Sequence, residues 1–230
     1  MNKKEVGKQY FHLVAMIFVA MILISNTIAV KIVYIWGFIL PAGILCFPVT
    51  YIFGDILTEV YGYEKTRSVI WGGFFCQILM SFFYWLSIKI EPANFWEGQE
   101  YYARFFGLVP RIVLASIVAY LLGEFLNSFT LSILKLRTKG KYLWIRTIGS
   151  TIVGQSVDSF VFNFTAFLGI YSFSNVAYIA FSGYILKVAY EAIATPITYF
   201  IVGKLKHAEG IDHFDYGANY NPFKIKANNE

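Results

Sequence analysis

The sequence predicts an all-α membrane protein with six transmembrane helices in a single domain, and three observations predict it. Hydrophobic residues make up 57% of the 230 and charged residues only 14%, where soluble domains hold about 45–50% and 25%. The apolar residues gather in runs of hydrocarbon length, separated by short polar segments. Fourteen of the nineteen Lys and Arg fall in alternate segments: the N-terminus, the stretch with Lys65 and Arg67, the stretch from Lys135 to Arg146, and the chain from Lys204 on. Short basic segments stay in the cytosol, so an even number of spans with both termini cytoplasmic is expected. The net charge of +5 is then a signature of insertion rather than of direct nucleic-acid binding.

The first span, about 10 to 30, is too long for the apolar region of a signal peptide. It turns polar only at Ser25, Asn26 and Thr27, of which Asn26 and Thr27 suit an outer mouth or a helix cap. The second span is expected from about Phe38 to Tyr61. Pro41 and Pro48 inside it remove backbone donors and predict a bend or interruption. The third runs from about 68 to 88, with Gly72 and Gly73 as a close-packing site. Aromatic residues of the 91–107 connection suit a belt at the membrane interface. The fourth span, about 108 to 134, has Arg111 near its start, as an outer anchor or an entry contact, and Glu124 and Asn127 inside. Those two suit a shared cavity, a proton path or a hydrogen bond between helices.

The fifth span, about 145 to 170, carries the strongest signal. At about 100° per residue, Thr151, Gln155, Asp158, Ser159 and Phe162 share one side, and Asn163 follows. A carboxylate at mid-bilayer costs about 2.5 kcal/mol or more unless it faces protein or water. The stripe therefore reads as the floor of a polar site. The second span repeats it with Pro48, Tyr51, Asp55, Thr58, Glu59 and Gly62, although Glu59 also suits an interfacial position neutralised by Lys65 and Arg67. A 3+3 inverted repeat would make these two spans equivalent. In the sixth span, about 177 to 203, Lys187 and Glu191 lie one turn apart beside Tyr184. They suit a neutralising intrahelical pair, or an inward Lys187 that pairs with Asp158. The membrane domain is expected over residues 1–206, with a cytoplasmic tail from 207 to 230.

Several classes drop out. Cys46 and Cys76 lack metal-ligand spacing, and Asp212, His213 and Asp215 lack a convergent fourth ligand, so no metal or other cofactor is expected. No Gly-rich loop precedes Lys-Ser or Lys-Thr, so the chain alone carries no ATPase. No His lies inside a span, His12 being at the edge of the first, and no nucleophile has an evident base, which argues against an enzyme.

Phe47-Pro48, Thr50-Tyr51, Asp55, Thr58 to Tyr63 and Arg67, then Arg146-Thr147, Ser150-Thr151, Gly154-Gln155 and Asp158-Ser159, resemble the queuosine precursor transporter family, also called vitamin uptake transporters. Ala208-Glu209-Gly210, Phe214-Asp215-Tyr216 and Asn221-Pro222-Phe223 resemble one branch of it. The resemblance implies a multi-pass protein of the bacterial inner membrane that imports 7-cyano-7-deazaguanine or its 7-aminomethyl relative for tRNA queuosine synthesis. A guanine-like edge offers two adjacent donors, which one carboxylate accepts; Asp158 is the first candidate. Gln155, Asn163 or Lys187 would serve the ring carbonyl, and Phe162 or Tyr184 would stack. Ser159, Asp55 and Glu191 complete the expected lining, with Glu59, Arg111, Glu124 and Asn26 at gates or entries. A vitamin-binding subunit driven by a separate ATPase is the rival within transport. A homodimer is one option, and the coupling ion is not legible.

Overall fold

Apolar runs become helices here except where proline, glycine and β-branched residues intervene. A computed structural model describes residues 10–216 together with 220, 221 and 223. Helix α1 is Phe11–Ile28. A hairpin follows, β1 Ile32–Ile35 paired antiparallel with β2 Phe38–Pro41. Its two-residue turn, Trp36 and Gly37, has positive φ at both positions (48° and 90°), as a type I′ turn requires. A single 3₁₀ turn, Ala42–Leu45, leads into α2, Phe47–Tyr61. Then come α3 Tyr63–Lys89, the short α4 Gln99–Phe106, α5 Val109–Arg137, α6 Leu143–Phe167 and α7 Phe173–Glu209.

By length and composition, four helical stretches can cross a membrane: α1, α3, the Gln99–Arg137 stretch and α7. Helix α6 has the length, at 25 residues, but its polar stripe lowers its hydropathy. Helix α2, at 15 residues, is about 22 Å long, against a hydrocarbon core of about 30 Å.

The second expected span is thus corrected in its first third. Phe38–Pro41 is a strand and the helix starts only at Phe47. Ile32 to Leu40 is β-branched and aromatic around a Trp-Gly turn, which favours a hairpin. Pro48 enters the first turn of α2, where its missing N–H costs nothing. Irregular backbone at membrane depth survives only when buried in protein, and Leu40, Pro41, Ala42 and Gly43 are all buried. The Ser25 hydroxyl donates to the Gly43 carbonyl at 3.1 Å.

Close packing occurs elsewhere than Gly72-Gly73. A Cβ on Gly72 would meet nothing within 4 Å, and one on Gly73 only ordinary contacts. Helices α5 and α6 form the most extensive contact in the fold and touch through glycine. A Cβ on Gly123 would lie 2.6 Å from Asp158 Cβ, and one on Gly154 would lie 2.7 Å from Asn127 Cβ. One apolar core joins α1, α2, α3, α5 and the later part of α7, with Leu143 at the start of α6, and a second joins α5, α6 and the start of α7.

The start of α1 and the ends of α2 and α7 meet at one end of the bundle. Glu209 accepts from the Tyr10 N–H (2.7 Å) and the Tyr61 hydroxyl (2.9 Å). The start of α3 and the end of α5 join them through Asp215, which accepts from the Tyr63 N–H (3.0 Å) and the Ser132 hydroxyl (2.7 Å).

Candidate functional site

The fifth-span stripe faces inward as its periodicity requires. Thr151, Gln155, Asp158, Ser159 and Phe162 are all buried, while Ile152, Val153 and Phe160 on the opposite side are exposed. The Gly123–Gly154 crossing holds this face against α5 and fixes the depth of Asp158. From α7, Lys187 Nζ reaches Asp158 Oδ2 at 2.8 Å, with both side chains buried, and lies 6.0 Å from the centre of the Tyr51 ring on α2. The inward pair, rather than an intrahelical bridge to Glu191, is therefore the arrangement of Lys187.

Around this pair the interior is rich in polar atoms. Asn127 Nδ2 donates to Asp55 Oδ1 at 2.8 Å, and Asn163 Nδ2 donates to the Ser159 carbonyl at 2.7 Å. Asp55 Oδ2, Glu124 Oε2, Asn127 Oδ1, Thr151 Oγ1, Ser159 Oγ, Asn163 Oδ1 and Glu191 Oε1 are buried with no hydrogen-bond partner among the described residues. More than nine in ten buried polar groups are normally paired, so this concentration makes the region the candidate site.

Beside Lys187 is a cavity of about 20 Å³, lined by Ser25, Leu40, Gly43, Phe162, Asn163 and Lys187 among others. That is room for one water and far too little for a purine. The irregular segment 41–46 and the end of α1 form its wall, so admitting a larger guest requires them to move.

A second charged cluster closes the end where α1 begins. Glu59 Oε1 binds Arg146 at 2.8 Å, Lys206 at 2.7 Å and Lys135 at 3.5 Å. Asp212 bridges Lys135 (2.8 Å) and Lys206 (2.9 Å). The expected neutralisation of Glu59 by Lys65 and Arg67 does not occur. Lys65 lies over the Tyr61 ring, and Arg67 donates to the Asn221 carbonyl at 2.9 Å. Both lie on α3, after the turn at Gly62.

The remaining candidates divide. Glu191, Asp55 and Glu124 are buried in the interior. Tyr184 is only partly buried and lies outside the cavity wall. Arg111 donates to the Thr165 and Leu168 carbonyls, where a cation suits a helix C-terminus. Asn26 is buried and donates to Gln77, joining α1 to α3; Ser25, one residue earlier, faces the cavity. Sequence reasoning missed Ser25, Gly43 and the Lys135, Lys206 and Asp212 cluster. Tyr51 was marked by its position on the Asp55 face.

An apolar helical bundle with a broken second helix and a paired charge at its centre defines a class: a multi-pass membrane protein built around a polar interior. The family described as "Putative vitamin uptake transporter" matches residues 41–201, and the chain belongs to it. A "Probable queuosine precursor transporter" of Bacillus subtilis (strain 168) is 31% identical over 176 residues, 76% of this chain and 77% of that one. The "Queuosine precursor transporter" of Escherichia coli (strain K12) is 28% identical, covering 62% of each chain. A "Probable queuosine precursor transporter" of Haemophilus influenzae is 30% identical over 54% of this chain and 51% of its own. No solved structure matches.

Proposed function

We propose that this chain imports a 7-deazaguanine precursor of queuosine, nitrile or aminomethyl, across the bacterial inner membrane by alternating access. The observation that carries this is the buried Asp158–Lys187 pair beside Asn163 and Phe162, under a wall of irregular backbone. The names of the relatives support the substrate. When the site is empty, Lys187 neutralises Asp158. On binding, the substrate's N1–H and exocyclic amine donate to Asp158, while Lys187 turns to the ring carbonyl and Phe162 takes a face of the base. Gln155, Ser159 and Asn163 line the pocket.

Six crossings with both termini cytoplasmic fit the meeting of the α1 start with the α2 and α7 ends and the basic residues at that end. Helix α2 would complete its crossing through the buried segment from Leu40 to Gly43. The 3+3 repeat is supported by the inward faces of Asp55 and Asp158, and the tail from about 207 would close the cytoplasmic end. The reading requires no ATPase partner and leaves a homodimer open.

The test is binding of each 7-deazaguanine to wild type and D158N. A charge-assisted pair of hydrogen bonds is worth about 1.5–3 kcal/mol, so D158N should bind roughly 10- to 100-fold more weakly. Undiminished affinity would remove Asp158 from the site. Liposomes containing the protein should accumulate unaltered substrate, where an enzyme would yield product.

A further inference from the structure

We infer that Asp55, Glu124 and Glu191 form a proton-carrying site that couples import to the movement of H⁺, an inference that rests on the transport reading above. The charges of the interior do not balance without it. Asp158 has Lys187, and Glu59 has Arg146, Lys206 and Lys135. Asp55, Glu124 and Glu191, at 1%, 0% and 2% exposure, have no cation within 4.0 Å among the described residues. Each unpaired carboxylate in such a medium is strongly disfavoured, and neighbouring like charges disfavour one another further.

The hydrogen bonds point the same way independently. Asp55 Oδ2, Glu124 Oε2 and Glu191 Oε1 have no donor. Neither has the amide oxygen of Asn127, a fully buried side chain aimed at Asp55. Among the described residues, the donors that reach the trio are Asn127 Nδ2, to Asp55 at 2.8 Å, and the Ser128 hydroxyl, to Glu124 at 3.4 Å. A set of acceptors short of donors takes up protons or a cation. Among the described residues no three His, Cys, Asp or Glu converge closely enough to hold a metal ion, and the sodium-free arm of the test below separates the proton from a monovalent cation.

The neighbours tie this trio to the substrate pair. Facing Asp55 are Glu191 from α7, Glu124 and Asn127 from α5, and Glu59 on its own helix. Facing Glu124 are Asp158 from α6, Glu191 from α7, Tyr51 from α2 and Tyr120 one turn earlier; α1 contributes the Phe18 ring against Gly54. Lys187 lies one turn before Glu191, and Gly123, which packs on Asp158, precedes Glu124. A movement that opens the cavity to one side hydrates the trio on that side. Protons are therefore taken from the medium outside, held through closure, and released to the cytoplasm when the other side opens.

Two measurements test this. Purified full-length protein at neutral pH should show the carbonyl stretching band of protonated carboxyl groups in its infrared spectrum, and E124Q and D55N should each reduce it. Absence of the band in wild type overturns the site whether or not the protein transports. In liposomes enclosing a pH-sensitive dye, 7-cyano-7-deazaguanine, a neutral probe, should enter together with protons. An inward proton gradient should raise its accumulation several-fold in sodium-free buffer, and E124Q should lower the protons moved per substrate, whatever its rate. Entry without a dye response, or accumulation driven by a sodium gradient alone, overturns the coupling. Failure of labelled substrate to exchange at all counts against the transport reading, and the infrared band then decides the proton site by itself.

Discussion

Asp158 and Lys187 depend on each other for burial. Removing one partner of a buried pair leaves an uncompensated charge that costs about 3–5 kcal/mol. K187M should therefore lower the midpoint of thermal unfolding sharply, and the D158N/K187M double variant should recover a large part of the loss. Additive losses would show that the two are not energetically coupled. The stripe containing Asp158 was legible because its spacing repeats with the helix. Its partner was legible because few cations fall within an apolar run. Glu59 shows the limit. Lys65 and Arg67 are near in sequence, but the cations that reach it, Lys135, Arg146 and Lys206, are 76 to 147 residues away, a distance over which one sequence carries no pairing signal.

Between elements, the decisive contact is the crossing of α5 with α6. G154A would put a methyl 2.7 Å from Asn127 Cβ and 2.8 Å from the Gly123 carbonyl, forcing the helices apart. Overpacking of this kind costs about 1–3 kcal/mol, and because Asn127 and Asp158 sit on the crossing, ligand affinity should fall with stability. G72A, facing open space, should be neutral or slightly stabilising, since alanine favours helix. Thermal unfolding of the two variants in one detergent makes the comparison. The sequence singled out Gly72-Gly73 because paired glycines suggest contact, yet nothing in one chain says which helix lies opposite. The hairpin was missed for a related reason. A short apolar run reads equally as strand or as buried helix, and Phe38 to Leu45 was read as helix, with the prolines alone signalling the break.

Across the whole molecule, the segment after α7 folds back over the α2–α3 turn. Gly62 has φ 87°, and a Cβ there would lie 2.2 Å from the His213 ring. Asp215 then caps α3, whose own N-cap glycine offers no side chain. Burial opposes the charge on Asp215, but the hydrogen bonds from His213, Ser132 and the Tyr63 N–H outweigh it and hold the carboxyl below its ordinary value. A group whose value is lower in the folded state stabilises fully above the unfolded value, about 3.9, and loses that contribution as pH falls through the folded one. Wild type should exceed D215N in stability by about 2 kcal/mol at pH 7. The gap should close only in acid below about pH 4.

The same segment has a consequence for biogenesis. Asp212 and Asp215, which complete the shell around Glu59 and cap α3, are made only after the last helix, α7. A nascent chain with every apolar helix already inserted still exposes an open seam at the end of the bundle where α1 begins. A nonsense mutation just after α7 therefore yields a product that has reached the bilayer but lacks its final fastening, and membrane proteases should clear it as they clear an unfinished chain.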